Sequence, residues 1–238
     1  MKKSMLFLLG LCLFFFATVT LAHAISETDF DEEFTTSAAK NDPFEGYNRL
    51  MTRVNDILYV HAFIPAAKGY AFFAPEPLRE GIGNVFYNLL FPVRFINSLL
   101  QGEATKSADE LFRFVINTTV GIGGFFEVAG THFNIPTHPE DLGQTLGVYG
   151  MGSGPHLVWP ILGPSNVRDS FGMVGDWLVS PTTYIKTDTD ALAIKSFYRL
   201  NGLSQTYPQY EALRKDALDL YPYLRDFYES RRETLIRE

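Results

Sequence analysis

At 238 residues, 46% of them hydrophobic, the chain is long enough for one domain with a sizeable core. Its formal net charge of −7 argues against nucleic acid as a partner and against simple attraction to anionic lipid headgroups. The 21 Phe, 12 Tyr and 2 Trp suit either a packed core or a membrane–water interface, and composition leaves both open.

Residues 1–24 read as a secretory signal peptide, with Lys2 and Lys3 as the positive start, an apolar run over 5–16 and an exit at Ala22, His23 and Ala24. An uncleaved anchor is the alternative. Cleavage would start the mature chain near Ile25 and take the charge from −7 to −9. Cys12 is the only cysteine, and it lies mid-run behind Leu11 rather than at the exit, which argues against an acyl anchor there. A mature chain without cysteine has no disulfide and no zinc–thiolate site. Residues 25–40 are polar and acidic and read as a flexible leader.

From Asn41 onward the pattern is helical. Phe44, Tyr47, Met51, Val54 and Leu58 form a first stripe, with Asp42 and Pro43 as its expected cap and first turn. Pro77 opens a second helix, striped by Leu78, Ile82, Val85, Phe86, Leu89 and Leu90 and closed by Pro92. A third is expected over 103–118. Ala104, Ala108, Leu111, Phe112 and Val115 share one side, and Phe114 and Ile116 widen it, so burial on most of its circumference is expected. A fourth covers 166–179, held by Val167, Phe171, Val174 and Leu178. A fifth spans 189–200. A sixth starts near Pro208, breaks at Pro222 and resumes through Leu224, Phe227 and Tyr228. Residues 233–238 read as a tail.

Residues 142–167 contain no Asp, Glu, Lys or Arg, yet their six glycines and three prolines rule out a membrane-crossing helix. The run reads as irregular apolar backbone, buried or at a membrane boundary. The fold class is therefore mostly α: a single domain of amphipathic helices around a long irregular Gly/Pro-rich central segment. A loop of that length normally has a task or a partner. Gly143, Gly147 and Gly163 are expected to serve backbone geometry through positive φ or close approach.

No reaction motif emerges. The glycines at 150, 152 and 154 lack the Lys of a phosphate loop, and Ser153 lacks the spacing of a nucleophile elbow. His132 and His138, near Glu140 and Asp141, are better read as surface or hydrogen-bonded histidines than as metal ligands. Neither a metal nor a cofactor is expected. Asp169, Gly172 and Asp176 fall on one line of the fourth helix, beside Arg168, opposite its apolar stripe. That line is either a solvated face or a polar wall past which lipid headgroups move, and a Trp at Gly172 should leave the fold intact. Asn48, Arg49 and Arg53 on the first helix invite the same two readings. The residues alone allow a soluble periplasmic domain that binds an apolar ligand, or a protein whose apolar faces sit in one leaflet. A lipid-acting hydrolase is disfavoured for want of a catalytic constellation.

A resemblance separates these. Asn41, Asp42, Pro43, Asn48 and Arg49, the run Leu99, Leu100, Gln101 and Gly102, then Asp141, Gly143, Gln144, Thr145 and Gly147, and finally Gly163, Pro164, Arg168 and Asp169 stand in the order of the MlaA (VacJ) family motifs. The resemblance covers 41–184, with a weaker echo over 223–232. It implies a ring-like helical domain over 41–232, embedded in the inner leaflet of the outer membrane around an amphipathic channel. It also implies non-enzymatic removal of mislocalised phospholipid from the outer leaflet. The implied partners are phospholipid, an outer-membrane porin trimer and a soluble periplasmic lipid carrier. The family is typically lipid-anchored through a cysteine, a pattern from which Cys12 departs.

Overall fold

The structure, a computed structural model, describes residues 42–238. The signal peptide, the leader, Cys12 and Asn41 lie outside the described residues. The contacts below all fall within Phe44–Glu238.

Helix α1 (Glu45–Leu58) runs through a π turn (Tyr59–Phe63) into α2 (Ile64–Phe73). Pro65 has no N–H to give, and the ladder widens beside it: Ile64 N–H bonds to Tyr59 O, five residues back. Extended backbone at Ala74 and Pro75 then turns the chain by 114° into α3 (Glu76–Leu89). Pro92 ends that helix and starts α4 (Phe91–Leu100), because a proline in the first turn lacks only an N–H that would be unpaired anyway. Gly102, at φ +80°, turns the chain into α5 (Ala104–Thr119). Two short helices follow, α6 (Val128–Phe133) and α7 (Leu142–Val148), the latter capped by Asp141, whose carboxylate accepts from Gln144 N–H. Strands β1 (His156–Trp159) and β2 (Gly163–Asn166) form an antiparallel hairpin pairing His156 with Asn166 and Trp159 with Gly163. Asn166 caps α8 (Val167–Val179) by accepting from Asp169 N–H. A 3-10 turn (Pro181–Tyr184), α9 (Asp188–Asp216) and α10 (Leu220–Arg237) complete the fold.

Several expectations are corrected. The first helix begins at Glu45 with Phe44 as its cap residue, not with an Asp42–Pro43 cap. The run read as irregular, 142–167, holds one helix, α7, and a hairpin, and α6 precedes it. α7 escapes a periodicity reading because seven residues with two glycines show no stripe. The fifth helix and the first part of the sixth are one, α9, which continues past Pro208 to Asp216. Pro222 falls in the first turn of α10, where it is tolerated, and that helix runs on through most of 233–238.

The largest correction concerns which face is inside. Among the described residues only seven apolar side chains are buried, against 23 polar or charged ones. α4 buries Arg94, Asn97 and Ser98, and α5 buries Ser107, Glu110, Arg113 and Asn117. The expected α5 core stripe, Leu111, Phe112 and Val115, points outward, as do Phe171, Val174 and Leu178 of α8. At 100° per residue the polar and apolar faces of α4, α5 and α8 are opposed, so the periodicity is right and its sign reversed. The small apolar core, Met51, Val158 and Tyr221 with Tyr47, Leu50 and Val54 against it, joins α1, β1 and α10. Among the described residues no single helix is long and apolar enough to cross a membrane.

Candidate functional site

Four motif residues, Asp141, Gly143, Arg168 and Asp169, meet at a buried ion cluster. Asn166 positions Asp169 twice, through the helix cap and through Nδ2 donating to Asp169 Oδ2 at 3.0 Å. Arg168 Nε donates to Asp169 Oδ1 at 2.9 Å, and Tyr228 Oη to Oδ2 at 2.8 Å. Arg232 of α10 spans both carboxylates. Its Nη1 and Nη2 reach Asp141 at 2.6 and 2.8 Å, and its Nε and Nη2 reach Asp169 at 2.9 and 3.1 Å. Burial alone would raise the Asp169 pKa, but the hydrogen bond from Arg168 and the charge of Arg232 outweigh it and hold the carboxyl below its ordinary value.

The glycines make this cluster possible. A Cβ on Gly143 would lie 2.5 Å from Asp169 Oδ1 and 2.7 Å from Arg232 Nη2. One on Gly172 would lie 2.4 Å from Gly143 N, so α7 and α8 meet backbone to backbone there. One on Gly147 would lie 2.6 Å from Ile236 Cδ1. Gly143 and Gly147 thus serve close approach between helices, whereas Gly163 takes positive φ, at +88°. Of the line Asp169, Gly172 and Asp176, the first two are buried and Asp176 is half-buried, so it is not a solvated face, and the space a Trp at Gly172 would need is filled by α7.

Asp176 belongs to a second network. Asn97 Nδ2 donates to its Oδ1 at 2.9 Å, and Leu142 N–H reaches both oxygens at 3.1 Å. Burial pushes its pKa up to about 6 against these donors. Thr145 Oγ1 donates to Asn97 Oδ1 at 3.0 Å, and Gln144 Nε2 donates to Pro139 O at 2.6 Å, so both motif side chains tie α7 in place. In a third network Arg94 Nε donates to Glu110 Oε2 at 2.8 Å while its guanidinium lies 3.6 Å over the Tyr87 ring.

Asn48 is fully buried. It donates to His156 O at 3.0 Å and accepts from Val158 N–H at 2.8 Å, pairing like a strand with the hairpin. Asn55, two turns on, does the same at the hairpin turn with Trp159 O and Ile161 N–H. Arg49 bonds Asp219 at 2.6 Å and Glu45 at 2.9 Å, joining α1 to the start of α10. Arg53 is exposed. His138 Nε2 lies 2.9 Å from Asp109, and no group of His, Cys, Asp or Glu among the described residues is arranged to hold a metal.

A cavity of about 740 Å³ opens between the π turn, α3, the hairpin tip and α9. Its walls are largely apolar: Tyr59 and Phe63, Phe86 and Leu90, Ile161 and Leu162, and Leu192, Ile194, Tyr198, Leu200 and Leu203. Lys195 and Arg199 of α9 supply its charge. None of Asn48, Arg49, Arg53, Arg168, Asp169, Gly172 and Asp176 lines it. Sequence reasoning missed this wall because 189–200 shows no clean stripe. The i, i+4 placing of Lys195 and Arg199 between apolar residues was the readable signal.

The profile of the MlaA lipoprotein family matches residues 40–235. The intermembrane phospholipid transport system lipoprotein MlaA of Escherichia coli K12 is 33% identical over 172 residues, 68% of this chain and 68% of its own. An uncharacterized protein of Rickettsia conorii is 30% identical over 197 residues, 82% of this chain and 78% of its own. A solved structure concerned with maintenance of bacterial outer membrane lipid asymmetry superposes with TM-score 0.71 at 28% identity, covering 83% of this chain and all of that one. With a family match over nearly all the described residues and the same fold in a solved relative, this chain belongs to the MlaA lipoprotein family.

Proposed function

We propose that this chain carries out intermembrane phospholipid transport in the bacterial envelope and so maintains outer-membrane lipid asymmetry. It sits in the periplasm-facing leaflet of the outer membrane, takes mislocalised phospholipid from the outer leaflet and passes it to a soluble periplasmic carrier, with a porin trimer as its membrane partner. The work is physical and breaks no bond. The relatives named for phospholipid transport support this reading.

The observation that carries it is the reversed polarity of the helices. Phe72 and Phe73 at the elbow between α2 and α3 are 84% and 83% exposed, and Phe171, Trp177 and Leu178 line the outside of α8. Each such ring moved from water into hydrocarbon gains about 1.5–3 kcal/mol. A water-soluble ligand-binding domain would leave these faces wet, which disfavours the soluble alternative. Asn48, Arg49, Arg168, Asp169, Gly172 and Asp176 act as the frame that holds the helices around a passage, and the cavity beside α9 supplies space for lipid.

The test is complementation of a strain lacking its own family member. Expression of the full chain should clear phospholipid from the outer leaflet and restore resistance to detergent with chelator, and the protein should fractionate with the outer membrane. A wholly soluble periplasmic protein that restores neither would overturn the reading.

A further inference from the structure

The described residues leave two cations in an apolar setting without an anionic partner. Lys195 and Arg199 both wall the cavity, one turn apart on α9, roughly 6 Å along its axis. No Asp or Glu lines that cavity, and among the described residues neither cation is within 4 Å of a carboxylate. Two neighbouring cations do have carboxylate partners: Lys68 pairs with Glu211 at 2.8 Å and Arg214 with Asp56 at 2.7 Å. In a chain carrying seven excess negative charges, two unmatched positive ones in one cavity wall are a local reversal. Around them stand Phe63, Phe86, Leu162 and Leu203, surfaces that favour hydrocarbon over water. A volume of about 740 Å³ is within the range of sites that enclose a ligand, and the combination suits an amphiphile with an anionic head.

We infer that this cavity holds phospholipid with the phosphate at Lys195 and Arg199, and that it prefers headgroups of net negative charge to zwitterionic ones. This rests on the reading of the chain as a phospholipid carrier and adds the headgroup class. The physical reason is the second charge of the head. In a zwitterionic lipid an ammonium follows the phosphate within a few bonds and lies close to both cations, which repel it. A glycerol head carries the same phosphate without that repulsion. The apolar walls contribute equally to both lipids and give no selectivity.

The experiment uses the full chain in non-ionic detergent and two probes of equal chain length, dioctanoyl phosphatidylglycerol and dioctanoyl phosphatidylcholine. At low salt the glycerol lipid should bind about fivefold to tenfold more tightly, the effect of removing one partly exposed like charge from beside the two cations. That ratio should shrink toward one at about 0.5 M salt, where exposed charges are screened within a few ångströms. Lys195→Ala combined with Arg199→Ala should lower phosphatidylglycerol affinity to the phosphatidylcholine level, with circular dichroism reporting the fold. Lys215→Ala, farther along α9, should keep the preference. Equal binding of the two lipids by the unaltered protein at low salt, or a preference that survives the double change, overturns the inference and leaves the transport reading standing. Failure to bind either lipid overturns the transport reading and the inference with it.

Discussion

Arg232 grips Asp141 with both ends of its guanidinium, at 2.6 and 2.8 Å, and holds Asp169 with the same group. One side chain thereby ties α10 to α7 and α8. Asp169 is nearly inaccessible, so losing the arginine leaves a buried carboxylate with Arg168 alone to balance it. Arg232→Ala should destabilise the detergent-solubilised protein by about 3 kcal/mol or more. Arg232→Lys should recover only part of this, because an ammonium cannot form the paired fork. Thermal midpoints of the three proteins check the ordering. A lysine variant as stable as the native protein would show that charge alone is enough.

The α7–α8 contact makes a prediction of opposite signs at two glycines. At Gly172 the nearest atoms to an added methyl are backbone atoms of Gly143, which cannot rotate away. Gly172→Ala should cost about 1–3 kcal/mol and lower the folded yield. Gly69 lies within α2 with nothing inside 4 Å of its would-be Cβ. Gly69→Ala should raise stability by about 0.5–1 kcal/mol through helix propensity. Yield and thermal midpoint measured side by side decide it.

Asp176 has its pKa raised from 3.8 to about 6, chiefly by burial. A group raised in the folded state binds more protons there than in the unfolded one, so its effect on stability worsens as pH climbs from about 4 to about 6 and then levels off. Asp176→Asn keeps an oxygen for Asn97 and Leu142 N–H and removes the charge. The variant should be more stable than the native protein by about 1–3 kcal/mol at pH 8, with the gap closing below pH 4. Denaturation midpoints at several pH values test this, and a gap that widens toward acid would contradict the assignment.

Phe72 and Phe73 stack edge to face, 5.1 Å apart, and both project from the elbow. Replacing both by Ser should change stability in detergent by less than about 0.5 kcal/mol per residue. Retention by outer membranes on fractionation should fall sharply, since each ring forfeits about 1.5–3 kcal/mol of transfer into hydrocarbon. Unchanged retention would place the membrane contact elsewhere.

The helices were legible from the sequence because their 3.6-residue period survives either orientation. The orientation was not, because a stripe of Leu, Phe and Val is equally at home in a core or in lipid. The discriminating signal was on the other side. A water-facing helix carries long charged side chains, whereas α1 places Asn48, Thr52 and Asn55 at i, i+4 and i+7. Short amides and hydroxyls at that spacing suit contact with a neighbouring backbone, which is what Asn48 and Asn55 make with the hairpin. The motif residues from Asp141 to Asp169 were singled out by resemblance, but their convergence was hidden. Their common partner, Arg232, lies 91 residues from Asp141 in the weaker C-terminal echo. Gly172 was misread because a glycine on a polar line looks like free space when the helix packed on it has no stripe of its own.

The Arg232 bridge also sets an order of events during synthesis. Asp141 and Asp169 are made long before residue 232, and until then their carboxylates have no guanidinium from α10 to meet. The three-helix junction therefore closes among the last steps. The partly made chain meanwhile shows water its outward-facing rings, with little apolar interior to draw it together. Such an intermediate is aggregation-prone, and it stays so until α10 docks and this one arginine closes the junction.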